Sequence, residues 1–302
     1  MKKDLLTLQD ITRDDLEKIF EISADMKQNR RTAGRNILAG KSIGLIFAKS
    51  STRTRVSFEV GVSELGGYPL YLDQSKMQVG RGETVADTAN VLSRYLHGIV
   101  IRTFSHEEVS ELARVATIPV INALTDEYHP CQLLADMLTI KEYSGKVDKS
   151  IRLAFYGDGR SNMANSLILA ARLTGMELVI AAPAEERPRE DLIAGADNIH
   201  WEVDPVKAAE GVDYFYTDVW VSMGFEEERA RRMELFRPYQ VTAALFDKAK
   251  KDAKFLHCLP AHRGEEVAAE VMDSPRSIVF DEAENRLHVQ KAVMSLLMGD
   301  KA

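Results

Sequence analysis

Residues 42–55 read SIGLIFAKSSTRTR, an apolar run followed directly by hydroxyl and arginine side chains. The run at 42–48 is short, apolar and bounded by polar residues, a pattern typical of a buried strand. Residues 55–65 carry an amphipathic pattern that predicts a helix. A buried strand that leads into a helix is the first half of a βαβ unit.

The same alternation continues along the chain. Further short apolar runs with strand character lie at 99–102, 118–122, 152–156, 177–182, 214–217 and 255–258. Amphipathic segments between the runs lie at 84–96, 132–143 and 165–174. Short buried strands that alternate with helices predict parallel sheets. We therefore predict an α/β fold made of two doubly wound parallel-sheet domains linked by helices.

The polar segment 143–150 (YSGKVDKS) is the best candidate for a domain boundary, because a new strand begins directly after it. We predict a first domain over 1–144 and a second over 145–284. The remaining residues, 285–302, are expected to form a C-terminal helix that packs back on the first domain.

Composition excludes several classes of protein. The formal charge of −7 argues against a general nucleic-acid binder, although a local basic pocket can still bind a small anion. Residues 1–10 lack the apolar core of a signal peptide, and the most apolar stretch, 167–184, contains charges that argue against a membrane span. Cys131 and Cys258 are too far apart to suggest a disulfide framework, so we expect a cytoplasmic protein.

Residues 50–55 (SSTRTR) are the sharpest functional signal. A helix start offers backbone N–H groups without internal partners and the positive end of the helix dipole. Hydroxyl groups add donors, and an arginine can hold a phosphate through two parallel N–H bonds. In isolation the same residues could cap the helix, but two arginines after a strand favour a phosphate site.

Other polar residues follow predicted strands and suggest a second ligand. His129 and Gln132 can donate to a carbonyl or carbamoyl oxygen, and Cys258 is a candidate functional thiol. Asp218 and Asn162 are suited to the ammonium and carboxylate groups of an amino acid. Taken singly, each residue fits a structural role, such as capping or packing, about as well.

Two alternative chemistries are not supported by the sequence. The segment 157–162 (GDGRSN) lacks the third glycine of a dinucleotide fingerprint, and no acidic residue ends the next predicted strand. The seven histidines show neither the HxH nor the HExxH spacing of common metal sites. We therefore expect no cofactor and no metal.

These motifs together resemble the aspartate/ornithine carbamoyltransferase family, and the resemblance extends over essentially the whole chain. Within the family, DVWVSMG at 218–224 resembles the amino-acid motif of the ornithine enzymes. An aspartate enzyme would be expected to carry a lysine within 80–83 and a proline at position 258, and neither is present. The matching segments are 51–55, 80–83, 129–132, 218–224, 257–260 and 280–288.

The resemblance implies transfer of a carbamoyl group from carbamoyl phosphate to the side-chain amine of ornithine, a reaction of arginine biosynthesis. It implies a homotrimer in which Gln78 reaches the active site of a neighbouring subunit. The residues implied to bind carbamoyl phosphate are Ser51, Thr52, Arg53, Thr54, Gln78, Arg102, His129, Gln132, Cys258, Leu259 and Arg286. Those implied to bind ornithine are Asn162, Asp218, Ser222 and Met223. The residues implied to be catalytic are Arg102, His129, Asp218 and Cys258.

Two functional alternatives remain open at this stage. The chain could carbamoylate another amine, such as putrescine, an acylated ornithine or aspartate. It could also be a non-catalytic member of the family that serves as a binding or assembly protein, although no motif position carries a disabling substitution.

Overall fold

The computed structural model describes residues 1, 3–78, 82–221 and 226–300. The chain forms two compact units. Unit 1 comprises Met1–Leu138 and Glu284–Ala302, and unit 2 comprises Thr139–Ala283. This division lies somewhat before the predicted boundary at 144/145.

Unit 1 is built on a parallel sheet of order β2-β1-β3-β4. Its strands are β1 (Ser42–Phe47), β2 (Tyr68–Asp73), β3 (Gly98–Arg102) and β4 (Val120–Leu124). Its helices are α1 (Arg13–Gln28), α2 (Thr52–Glu64), α3 (Val85–Tyr95) and α4 (His106–Val115), together with the first part of α5 (Pro130–Ser144). Side chains of β1, β3, β4, α3 and α4 form one hydrophobic core.

Unit 2 is built on a parallel sheet of order β7-β6-β5-β8-β9. Its strands are β5 (Arg152–Tyr156), β6 (Glu177–Ala181), β7 (Ile199–Glu202), β8 (Tyr214–Thr217) and β9 (Lys254–His257). Its helices are α6 (Asn162–Thr174), α7 (Glu190–Ile193), α8 (Pro205–Ala208), α9 (Arg229–Phe236), α10 (Ala243–Phe246) and α11 (Ala269–Met272). In both units the chain starts near the middle of the sheet and winds outward in both directions, which confirms the predicted doubly wound fold.

The last helix, α12 (Val279–Met298), enters unit 1 from Glu284 onward. Lys291 is fully buried there, and its Nζ donates to Oε2 of Glu64 at 2.8 Å. Nζ of Lys27 donates to Oδ1 of Asn285 at 2.8 Å. The predicted return of the C-terminal helix to the first unit is therefore confirmed. Among the helices of the described residues, none is both long enough and apolar enough to cross a bilayer.

Candidate active site

The carboxyl ends of three neighbouring strands meet at one edge of the unit 1 sheet. Phe47 of β1 pairs with Arg102 of β3, and Arg102 pairs with Leu124 of β4. Because all three strands are parallel, the segments that follow them emerge at the same edge. These segments carry the Ser51–Thr54 motif, Arg102 itself and His129.

The first turn of α2 displays the predicted phosphate-binding residues. Ser51 occupies the N-cap position with an extended backbone, but its side chain makes no capping hydrogen bond. Thr52 and Arg53 are exposed. A cavity of about 510 Å³ opens beside this turn, and its lining includes Ser51, Thr52 and Arg55. The hydroxyl of Ser51 and the helix start are thus available to an anion.

Thr54 is a shared acceptor for two arginines in unit 1. Its Oγ1 accepts from Nη1 of Arg102 at 3.2 Å and from Nη2 of Arg286 at 2.8 Å. All three side chains are buried. Two guanidinium groups held together in a protein of net negative charge create a strong local preference for an anion.

His129 lies directly before α5 and is 3% exposed. Burial lowers the pKa of its imidazole well below the ordinary value, and the charges of Arg286 and Arg102 lower it further. The ring is therefore neutral at physiological pH, and it can act as a hydrogen-bond donor but not as a cation.

Gln132 and Gln78, the other two predicted carbamoyl-phosphate residues of unit 1, differ in environment. Gln132 is buried on α5, where its Nε2 donates to Oδ1 of Asp136 at 2.8 Å. Gln78 is exposed, which is compatible with contact to another molecule.

Lys49 connects the strand ends of unit 1. Its ammonium group forms an ion pair with Asp126 and lies 4.2 Å from the centroid of the Phe104 ring. The side chain of Lys49 is only 5% exposed. The backbone N–H of Asp126 donates to the carbonyl of Phe104 at 2.9 Å. Lys49 thus ties the segment after β1 to those that carry Arg102 and His129.

A second group of predicted residues follows the central strands of unit 2. Thr217 of β8 pairs with both Tyr156 of β5 and His257 of β9. Asp218 and Cys258 are the next residues after β8 and β9, and Cys258 Sγ donates to Asp218 Oδ1 at 3.1 Å. The residues that follow β8 and β9 are therefore in direct contact at one edge of the sheet. Burial raises the pKa of the Asp218 carboxyl, although the neighbouring His257 opposes the shift.

The loop after β9 is held by a buried histidine. Leu259 has a left-handed backbone with a φ of 58°, a conformation that costs about 1–3 kcal/mol for a residue other than glycine. Its N–H donates to Nδ1 of His257 at 2.9 Å. The backbone N–H of His257 donates to Oε2 of Glu282 at 2.9 Å. These bonds fix the backbone of Leu259, the part of this residue that was predicted to bind ligand.

The remaining ornithine-site predictions concern Asn162, Ser222 and Met223. Asn162 is the first residue of α6, directly after the N-cap Ser161, and is half-buried. Ser222 and Met223 lie outside the described residues.

Comparison with known proteins covers nearly the whole chain. Residues 3–142 match the model of the aspartate/ornithine carbamoyltransferase carbamoyl-P binding domain. Residues 149–297 match that of the Asp/Orn binding domain of the same family. The chain belongs to the aspartate/ornithine carbamoyltransferase family.

Individual relatives support the same assignment. The chain is 49% identical over 306 residues to the ornithine carbamoyltransferase of Carboxydothermus hydrogenoformans, covering 98% of both chains. It is 50% identical to that of Bacillus subtilis, covering 98% of this chain and 94% of the relative. The solved structure of ornithine carbamoyltransferase from Pyrococcus furiosus superposes with a TM-score of 0.93 at 47% identity, covering 99% of this chain and 98% of that one.

Two features of the structure around the candidate site residues were not predicted from the sequence. One is the ion pair of Lys49 with Asp126, and the other is the burial of Arg232 in α9. Arg232 is buried, and it donates to the carbonyl of Trp220 at 2.5 Å and to Oδ2 of Asp158 at 2.6 Å. The sequence does not indicate that this arginine is buried, because α9 carries several charged residues and exposed arginines are far more common than buried ones.

Proposed function

We propose that this chain transfers the carbamoyl group of carbamoyl phosphate to the side-chain amine of ornithine, giving citrulline and phosphate. The observation that carries the proposal is the buried pair Arg102 and Arg286 on Thr54, beside the start of α2, in a member of this family. The relatives in three organisms bear the name ornithine carbamoyltransferase, which favours ornithine over other amines.

Carbamoyl phosphate would be bound by residues of unit 1. The phosphate would accept hydrogen bonds from the first turn of α2 and from Arg53 and Arg102. The neutral imidazole of His129 would donate to the carbamoyl oxygen, on which negative charge develops as the tetrahedral intermediate forms. Loss of one such donor typically costs roughly 3–4 kcal/mol of transition-state stabilisation. This electrostatic contribution is the largest that we assign to the site.

Ornithine would react as a neutral amine. An alkylamine with a pKa of about 10.4 is neutral in about one molecule in a thousand at pH 7, which corresponds to a cost of about 4–5 kcal/mol. The amine nitrogen would attack the carbamoyl carbon, the bond from this carbon to the phosphate oxygen would break, and the departing phosphate would take the proton. Asp218 and Cys258 would orient the amine. Because the Cys258 thiol donates to Asp218, we assign it no covalent role, and a carbamoyl-thioester found by mass spectrometry would contradict this mechanism.

The test is a citrulline assay with carbamoyl phosphate and four amines in parallel: ornithine, putrescine, N-acetylornithine and aspartate. We expect strong preference for ornithine. Arg102→Ala should abolish turnover, because a buried anion-binding group is lost. Arg55→Ala is the matched control: Arg55 also lines the cavity beside α2, but its guanidinium group is already engaged by Glu59 and the ring of Tyr71.

Each other outcome selects an alternative. Turnover of a different amine would retain carbamoyl transfer and overturn the role given to Asp218. Binding of carbamoyl phosphate without turnover of any amine would favour a non-catalytic protein. Equal activities of Arg102→Ala and Arg55→Ala would contradict the proposed phosphate site.

We further propose a cytoplasmic homotrimer in which Gln78 completes the site of a neighbouring subunit. Support comes from the edge strand β2, whose Tyr68, Leu70 and Tyr71 are exposed although they are large and apolar. Such edges are usually covered or charged. Light scattering should give three subunits. Mixing Gln78→Ala and Arg102→Ala subunits should restore part of the activity, and hybrids without activity would contradict a shared site.

A further inference from the structure

A buried carboxylate in unit 2 directs one oxygen at an exposed histidine. The side chain of Glu266 is fully buried, and its Oε1 accepts from the backbone N–H of His262 at 2.6 Å. Oε1 also lies 3.1 Å from Nε2 of His257. Because Nδ1 of His257 accepts the N–H of Leu259, the ring proton is on Nε2 and is donated to Glu266. The other oxygen, Oε2, has no hydrogen-bond partner among the described residues.

The imidazole of His262 faces this second oxygen. Its Nδ1 lies 3.8 Å from Oε2 of Glu266 and 3.9 Å from Oε2 of Glu265. Both distances are too long for hydrogen bonds. One nitrogen and two carboxylate oxygens therefore lie together, and all three atoms are within 4.8 Å of one another.

Two of these separations suit a small divalent cation. Zinc bonds to nitrogen and carboxylate oxygen are about 2.0–2.2 Å long, so two ligand atoms on one ion are at most about 4.4 Å apart. Nδ1 of His262 lies within that limit of each of the two carboxylate oxygens. The 48% exposure of the His262 side chain leaves a route for the ion from solvent and room for water as a further ligand. Glu265 is held in place by Arg229, whose Nη2 donates to its Oε1 at 2.6 Å and leaves Oε2 for the ion.

We propose that His262, Glu265 and Glu266 form a binding site for a divalent first-row transition metal ion such as Zn²⁺. Nitrogen and carboxylate ligands suit this class of ion. A second cluster, Asp218, His257 and Cys258, also brings potential ligand atoms together, but both ring nitrogens of His257 are already hydrogen-bonded. The proposed metal site uses none of the substrate-binding residues, so it does not rest on the proposed function.

The test is a titration of the full chain with Co²⁺, which is followed by its visible absorption, and with Zn²⁺ by calorimetry, after treatment with a chelator. We expect one equivalent to bind. His262→Ala should weaken binding by at least about 100-fold, since loss of an outer-shell partner alone typically costs 10–100-fold. His200→Ala is the matched control, because His200 is 50% exposed and lies 3.9 Å from the single carboxylate of Glu177. It should leave binding unchanged.

Two further measurements protect this test from artefacts. Thermal unfolding of His262→Ala should match that of the unmutated chain, since the backbone N–H to Glu266 is retained. If this variant unfolds, Glu265→Gln provides the same comparison at a half-buried position. Unchanged affinity in both variants, or no binding at all, would overturn the proposal. A sulfur-to-cobalt charge-transfer band that Cys258→Ser abolishes would also overturn it, by assigning the ion to the thiol.

Discussion

Replacing Thr54 with valine should destabilise unit 1 and weaken carbamoyl phosphate binding together. The substitution preserves the shape of the side chain but removes the oxygen that accepts from Arg102 at 3.2 Å and from Arg286 at 2.8 Å. A hydrogen bond from a charged donor contributes about 1.5–3 kcal/mol, and the longer bond belongs at the low end of that range. We therefore expect the free energy of unfolding to fall by about 3–4.5 kcal/mol.

Thermal unfolding and the KM for carbamoyl phosphate measure the two effects separately. For a unit of this size, 1 kcal/mol corresponds to roughly 2–4 °C in Tm, so the expected decrease is about 6–18 °C. The KM should rise by about tenfold, because two guanidinium groups that are no longer held in place must be ordered when the ligand binds.

Thr88→Val is the matched control in the same unit. Thr88 is also buried, and its hydroxyl donates to Oε1 of Glu83 at 2.9 Å without touching either arginine. The Thr88→Val substitution should lower the free energy of unfolding by about 1–3 kcal/mol and leave the KM for carbamoyl phosphate unchanged. If Thr54→Val has the same Tm as Thr88→Val and an unchanged KM, Thr54 does not organise the arginines and the reasoning fails.

Three further predictions concern residues of unit 1 and of unit 2. Arg53→Ala should raise the KM for carbamoyl phosphate by about 10- to 150-fold, because a charged hydrogen bond contributes about 1.5–3 kcal/mol. Arg55→Ala should change the KM less than about threefold. Equal effects would contradict the assignment of Arg53 to the phosphate. Lys49→Met and Asp126→Asn should each lower kcat by about tenfold, and the double variant should be no worse than either single one if they act through their ion pair. The raised pKa of Asp218 means that its proton is held more tightly in the folded state than in the unfolded state, so the free energy of unfolding should fall as pH rises from 3.8 through the raised value. Asp218→Asn should lack that fall in urea unfolding at a series of pH values, and an unaltered pH dependence would contradict the assigned shift.

The strands that sequence reasoning missed lie at sheet edges, although two other edge strands, β4 and β9, were found. Most of the buried runs that were predicted coincide with strands, and β5 and β8 have the predicted bounds. The strands that were not predicted, β2 and β7, are both edge strands. An edge strand pairs on one side only, so it tolerates polar side chains and even Pro69, which weakens the apolar pattern. The start of α1 carries a sequence signal of its own, because Thr12 and Asp15 form a capping box there.

The site could be predicted as a set of strand ends but not as a set of contacts. Parallel strands bring their carboxyl ends to one edge, so Asp218 and Cys258 could be expected near each other from the pattern alone. The role of Thr54 as an acceptor for Arg286 could not be predicted in this way, because Arg286 is 232 positions further along the chain. The ion pair of Lys49 could not be predicted from the sequence either, since a lysine after a strand is exposed far more often than it is buried.

The buried arginines and the neutral histidine of unit 1 have complementary electrostatic roles. Burial and the charges of Arg286 and Arg102 both disfavour a proton on His129, so the histidine adds no positive charge to the group. A bound phosphate needs the positive charge, and the guanidinium groups supply it at every physiological pH. A developing oxyanion needs a fixed donor whose proton is not lost to solvent, and a buried imidazole N–H meets that requirement. None of these three side chains changes its charge near neutrality. We therefore expect the charge of this group to be independent of pH in that range.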